Sequence, residues 1–190
     1  MFKRITSSAA HLRDIRYLAL MALFIAVRTA LSSLYIPVGE NLRILVTFIP
    51  AALEASIIGP VPALVSGALA DIIGYMLFPS GAFFPGYTVS AMAGSFIYAL
   101  FFYERNISVL RIALAKLIVN AFVNVGLGSL WSAIQFSKGY IYYMAKSVVK
   151  NSILLPIEII ILILMFNLLL PVMKKRKLVP SAQVLPVPWK

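Results

Sequence analysis

Apolar residues run almost unbroken through six stretches of this chain, separated by short polar or Pro/Gly-rich segments. The stretches cover residues 16–35, 44–58, 60–77, 87–103, 109–136 and 143–170. Apolar runs approaching 20 residues predict helices that cross the hydrocarbon core of a bilayer, about 30 Å thick. The most organised part is residues 59–86, GPVPALVSGALADIIGYMLFPSGAFFPG. It reads as a Gly-Pro turn, a helix of small residues and a loop punctuated by Pro and Gly. Ala63, Gly67, Ala70 and Gly74 share a narrow arc at about 100° per residue. Such a smooth face lets helix backbones approach closely in lipid. Asp71 sits on the edge of that arc and points into protein. The aromatic rings of the following loop stand on a rigid, non-helical segment able to cover a ligand.

The other stretches carry their own patterns. In the first, Ala19, Ala22, Ala26 and Ala30 form a flat strip for close helix contact. Packing inside the bundle and packing on an external partner both remain open for it. Arg28 points to nearly the opposite side, too costly for lipid, so it is an inward-facing cation, paired or ligand-binding. Residues 36–43, IPVGENLR, read as a loop with Glu40 and Arg43. The second stretch has Pro50 as a kink and Glu54 near the interface, with no ligand role. The fourth contains AMAGS, another tight-packing signature. In the fifth, Lys116, Asn120, Asn124, Trp131 and Gln135 fall on one stripe of a straight helix, which must face a polar interior. Hydrogen bonding between helices by the Asn side chains is the plain alternative to a ligand there. Residues 137–143 form a Tyr-rich interfacial belt. The sixth stretch holds Lys146, Lys150, Asn151, Pro156 and Glu158, and Lys146 is placed to snorkel.

Composition sharpens the membrane reading. Hydrophobic residues make up 62% of the 190, only 12% are charged, and the mean hydropathy is +0.95. Soluble domains carry about twice that charge. The net charge of +11 does not point to nucleic acid, because the basic residues cluster at the ends of the apolar stretches. Eleven of the seventeen Lys and Arg lie in residues 1–16, the turn at residues 104–111 and the tail. The expected architecture is an all-α membrane protein, a six-transmembrane-helix bundle with both termini cytoplasmic. Its parts are a leader (1–15) containing His11, a membrane domain (16–173) and a basic tail (174–190) expected to be disordered. The leader lacks a signal-peptide cleavage site. There is no Cys, hence no disulfide or thiolate metal site, and no metal or cofactor is expected. Phosphate-loop, zinc-protease and nucleophile-elbow motifs are absent, so an enzyme is not expected. Six scattered acids do not form the metal cluster of a lipid-headgroup enzyme.

Five of the six remaining cations, Arg28, Arg43, Lys138, Lys146 and Lys150, then fall toward the outer end, which marks an anion site open to the outside. Phe83, Phe84, Tyr87 and Trp131 can stack on a flat ring. Asn120, Asn124, Gln135 and Asn151 can satisfy its edge, and Glu40 and Asp71 can accept from N–H donors. The ligand that uses all of these is a planar heteroaromatic with an anionic tail.

The sequence resembles the substrate-binding S components of energy-coupling factor (ECF) vitamin transporters over residues 16–170, and within them the folate-specific members. The resemblance is carried by IPVGENLRI (36–44), FIPAAL (48–53), Gly59–Pro60, GALADIIGY (67–75) and FPSGAFFPGYT (78–88). It implies a bacterial plasma-membrane protein that captures its vitamin from outside. It also implies assembly with a transmembrane coupling subunit and two cytoplasmic ATPases, which carry the hydrolysis. Ala22 and Ala26 match the family's A-x-x-x-A contact with the coupling subunit. A pterin ring would stack on Phe84 and Trp131, its edge held by either Glu40 or Asp71. Arg28, Arg43 and Lys150 would meet the glutamate carboxylates, with Tyr87, Asn120, Asn124 and Asn151 completing the site. Asp71 paired with Lys116 or Arg28 is the structural alternative. Riboflavin or thiamin as ligand, and an autonomous secondary carrier, are the competing readings.

Overall fold

A computed structural model of the chain describes residues 2–39, 42–79, 81–136, 138–180 and 183–189, without side chains at 2–4 and 35–45. The elements in order are α1 (Phe2–Ala9), a 3-10 turn, α2 (Ile15–Ser32), β1 (Tyr35–Gly39), β2 (Leu42–Leu45), α3 (Phe48–Ile58), α4 (Pro60–Leu77) and α5 (Pro85–Phe102). Then come α6 (Val109–Ile118), a π-helical stretch (Val119–Leu127), α7 (Gly128–Gln135) and α8 (Tyr140–Lys175). Four helical segments, Ile15–Ser32, Pro60–Leu77, Val109–Gln135 and Tyr140–Lys175, are long and apolar enough to cross a membrane. The 11-residue α3 and the 18-residue α5 pack among them.

Proline sets several boundaries. The expected loop at 36–43 is instead an antiparallel hairpin, β1 on β2, with Tyr35 opposite Leu45 and Pro37 opposite Arg43. The alternating, β-branched YIPV and LRIL segments can pair across a short turn, and a two-stranded ribbon tolerates Pro because both of its strands are edges. Helix α3 consequently starts later than the apolar pattern suggested. Pro50, expected as a kink, lies in its first turn, where the missing N–H costs nothing. Pro60 and Pro85 open α4 and α5 in the same way.

The bundle is apolar outside and graded inside. On α8, Ile153, Ile157, Ile160, Leu164 and Leu168 are exposed, while Ser147, Asn151, Glu158, Leu162, Phe166 and Leu170 are buried. The spacing of 3 or 4 on the exposed face and of 4 or 7 on the buried face is helical, with the polar groups inward as lipid requires. Along the buried face polar residues give way to apolar ones. The half near the chain termini is a dry core in which Phe102 meets Phe166 at 5.2 Å between ring centroids, beside Ala52, Ala55, Ile112 and Leu170. The half near the hairpin holds the polar side chains.

Both chain ends fold onto that dry half. His11, to which the sequence assigned no role, is half-buried, stacks on Tyr17 at 3.7 Å and places Nδ1 2.9 Å from the Ile58 carbonyl. Ser8 Oγ accepts from the Val61 N–H at 3.3 Å, satisfying one orphan donor of the α4 N-terminus. At the turn between α3 and α4, Gly59 has φ +86°, and a Cβ there would lie 2.6 Å from the Ser8 side chain. Described residues of the tail pack against the bundle. Gln183 is buried, with its side chain bridging the N–H and C=O of Ile107 at 2.7 and 3.0 Å. The carbonyls of Pro188 and Trp189 accept from Val109 and Leu110 at the start of α6. Proline removes helix but leaves carbonyls, and those serve the free N–H groups of α6.

The small-residue arc of α4 serves two neighbours: Gly67 lies against α5, and Gly74 against Ser32 of α2. A Cβ on Gly67 would sit 2.8 Å from the Ala91 carbonyl oxygen and 3.0 Å from Ser95 Oγ. Gly67→Ala is expected to cost about 2 kcal/mol by overpacking, read as a lower melting temperature in detergent. An unchanged melting temperature would mean that these helices do not touch there. The alanine strip of α2 faces the other way: Ala19, Ala22, Ala26 and Ala30 are all exposed.

Candidate functional site

The polar half of the interior is built from three groups of side chains. The first joins α2, α3 and α4. Arg28 Nη1 donates to Glu54 Oε2 at 3.2 Å, and Ser66 Oγ donates to the other carboxylate oxygen, Oε1. Glu54 is 1% exposed, so its expected place at the interface is wrong. An apolar helix carries the acid inward because its only charge must find a partner. Arg28 is accordingly an inward, paired cation, and the pair is internal.

The second group joins the α6–π–α7 segment to α8. Lys116 Nζ lies 3.0 Å from Glu158 Oε1 and 4.0 Å over the Phe48 ring. Asn120 Nδ2 donates to Glu158 Oε2 at 3.0 Å. Asn124 Nδ2 donates to Asn120 Oδ1 at 2.7 Å and to Asn151 Oδ1 at 3.4 Å. Ser147 Oγ donates to the Asn124 carbonyl at 3.1 Å. Of the stripe read from the sequence, Lys116, Asn120 and Asn124 therefore turn to α8. Trp131 does not follow them: its indole donates to Ser90 Oγ of α5 at 2.9 Å. The stripe was drawn on a straight α-helix, and the nine-residue π-helical stretch is underwound, so it splits. Such stretches are frequent at functional sites. Lys150, half-buried, is the neighbour of Asn151 on α8.

The third group lies where α4, α5 and α7 meet. Thr88 Oγ1 donates to Asp71 Oδ2 at 2.7 Å. Asp71 makes no direct ion pair among the described residues: Lys116 pairs with Glu158, and Arg28 pairs with Glu54, from where its charge still acts on Asp71. Beside it, Phe84, Tyr87 and Trp131 form one aromatic wall, with Phe84 5.7 Å from Trp131 and 6.0 Å from Tyr87. Gly86 lies beneath the Phe84 and Trp131 rings, both of which a Cβ would strike, the Trp131 ring at 2.6 Å. The Phe84 and Trp131 planes are tilted by 55°, so a flat ligand can lie face-on against one of them and meet the other at its edge. Tyr75 OH donates to the Gly81 carbonyl at 2.8 Å and steadies the loop before α5.

The remaining candidates fall in the hairpin. Glu40 lies outside the described residues, and Arg43 is placed by its backbone in β2 but not by its side chain. Sequence reasoning missed Glu54, Ser66, Thr88, Ser90, Ser147 and the role of Glu158. One signal was legible: Ser147, Asn151 and Glu158 are spaced by 4 and 7, a single helix face. Chemically, the site offers amide and carboxylate acceptors, hydroxyl groups, cations and aromatic rings, which is equipment for holding a flat polar ring.

The family described as "ECF transporter, substrate-specific component" matches residues 16–166. The folate transporter FolT of Clostridium novyi (strain NT) is 37% identical over 146 residues, covering 77% of this chain and 83% of that protein. The folate transporter FolT of Leuconostoc mesenteroides subsp. mesenteroides is 31% identical over 153 residues, covering 77% and 82%. A crystal structure of FolT bound with folic acid superposes with a TM-score of 0.73 at 32% identity, covering 78% of this chain and 91% of that one.

Proposed function

This chain belongs to the substrate-specific components of ECF transporters, and on that premise we propose that it captures folate from outside the cell. The observation that carries the proposal is that the α6–α7 segment serves both an aromatic wall and an amide ladder, turning Trp131 toward Phe84 and α5, and Asn120 and Asn124 toward Glu158 and Asn151 of α8. A fold shared with a FolT that holds folic acid supports it. The ring stacks on the wall, and its N–H edge meets Asp71 or Glu40 and the amides. Arg43 and Lys150, with Arg28 a further candidate, are assigned to the glutamate carboxylates.

The proposal includes six crossings, formed by α2, α3, α4, α5, the α6–α7 segment and α8, with both termini on the cytoplasmic side of a bacterial membrane. It also includes delivery of the vitamin through a transmembrane coupling subunit driven by two ATPase subunits. The exposed Ala22 and Ala26 strip of α2 is the surface assigned to the coupling subunit, because small residues allow the closest helix approach.

Calorimetric titration of the purified full-length protein with folate tests the reading. Saturable one-to-one binding is expected, and no heat of binding at micromolar protein would overturn it. Arg43→Ala is expected to weaken binding about tenfold, the worth of one charge-assisted contact. Unchanged affinity would remove that residue from the site.

A further inference from the structure

Asn124 sits at a junction where two amides reach it with the same polarity. Its Nδ2 gives one hydrogen to Asn120 Oδ1 and the other to Asn151 Oδ1. Each of those neighbours is held from behind by a group that only accepts. Asn120 donates to the Glu158 carboxylate, which the Lys116 ammonium pairs at 3.0 Å. Asn151 Nδ2 donates to the Ser147 carbonyl at 2.8 Å and to Ser147 Oγ at 3.1 Å. A carboxylate and a main-chain carbonyl have no hydrogen to give. Asn120 and Asn151 must therefore turn NH2 toward their anchors and oxygen toward Asn124. Asn124 must then turn its NH2 toward both. Its Oδ1 is left over, accepting no hydrogen bond among the described residues, on a half-buried side chain.

We propose that Glu158 is a positioning residue for ligand recognition: acting through Asn120, it fixes the Asn124 carboxamide with its oxygen presented as an acceptor to a ring N–H of the ligand. The identity of that ligand rests on the folate reading, and a pterin edge supplies such donors. The relay accounts for a carboxylate carried into the middle of an apolar helix at a position that meets two side chains of the neighbouring helix. An ion pair alone would not need Asn120, and helix-to-helix glue alone would not need a fixed polarity.

A mutant cycle on the full-length protein tests the relay. Glu158→Gln can present either oxygen or NH2 to Asn120, so the shorter branch no longer sets the polarity of Asn124, which is left to its longer, 3.4 Å bond to Asn151. Asn120→Asp places two carboxylates against each other. In the double variant the carboxylate introduced at position 120 accepts both from the carboxamide introduced at position 158 and from Asn124. The original polarity then returns, with the charge moved one step along. The expected results are about tenfold weaker folate binding for Glu158→Gln and a melting temperature lower by roughly 5 °C for Asn120→Asp without ligand. The double variant should recover both, to within about threefold in affinity. Additive losses in melting temperature would overturn the relay whether or not folate binds. Wild-type affinity in Glu158→Gln would overturn its role in recognition. Coupled melting temperatures in a protein that binds no folate would uphold the relay and sink the folate reading instead. Should Glu158→Gln fail to fold, folding of the double variant supports the proposal and its failure overturns it.

Discussion

Arg28→Met is expected to destabilise the protein by about 3–5 kcal/mol, because it strands a buried carboxylate. Glu54 is 1% exposed, Arg28 is its partner at 3.2 Å, and Ser66 is the only other hydrogen-bond donor it has among the described residues. In a chain of this size that loss corresponds to a melting temperature lower by roughly 10 °C. Arg28→Met/Glu54→Gln removes both charges and should recover most of the difference, since a neutral side chain can stay hydrogen-bonded to Ser66. The same pair of variants separates the two roles of Arg28. If the double variant melts like wild type and binds folate like wild type, Arg28 is purely internal. If stability returns while affinity does not, Arg28 also reaches the ligand. A single variant within about 1 kcal/mol of wild type would show that Glu54 does not depend on it.

Trp131→Ala should weaken folate binding about a hundredfold. A flat heteroaromatic ring stacked on an aromatic side chain is worth about 1–3 kcal/mol, and tenfold in affinity is about 1.4 kcal/mol. Losing Trp131 also releases Phe84, which leans on it at 5.7 Å, so the effect falls at the upper end. Trp131→Phe keeps a ring there and should retain most of the affinity. Ser90→Ala removes only the indole hydrogen bond and should cost about 1 kcal/mol or less. Calorimetric titration of the three variants decides it, and wild-type affinity in Trp131→Ala would take the aromatic wall out of the site.

Much of this arrangement was legible beforehand, and the misses have physical causes. Asn120 and Asn124 announced themselves because polar side chains on an apolar helix must face inward. The α4 arc of Ala63, Gly67, Ala70 and Gly74 announced close helix contact for an equally local reason, but not which helix meets which part of it. The acids were harder. Asp71 was visible as an inward group, whereas Glu54, near the end of its apolar stretch, read as interfacial. Which cation or hydroxyl each meets depends on how helices far apart in sequence are rotated against one another. Thr88 and Ser90 carried no signal, since hydroxyl residues in lipid-spanning helices are common and their partners are set by packing. The hairpin was hidden because a short ribbon with a Pro and a Gly reads as a turn. The packing of the tail was hidden because several of its contacts are made by backbone carbonyls, which every sequence has.

Composition, period and a few short motifs were enough to read a helical membrane protein of the ECF substrate-specific kind, and to say which stripes of polar residues turn away from lipid. Solvent preference acts on each residue separately, so a one-dimensional pattern records it. The partners had to wait for the packed bundle: Arg28 with Glu54, Lys116 with Glu158, Asp71 with Thr88 and Trp131 with Ser90. Partnership is a property of distances between helices. The underwound stretch at Val119–Leu127 separates Trp131 from the Asn120 and Asn124 face in a way that no regular period along the chain can encode.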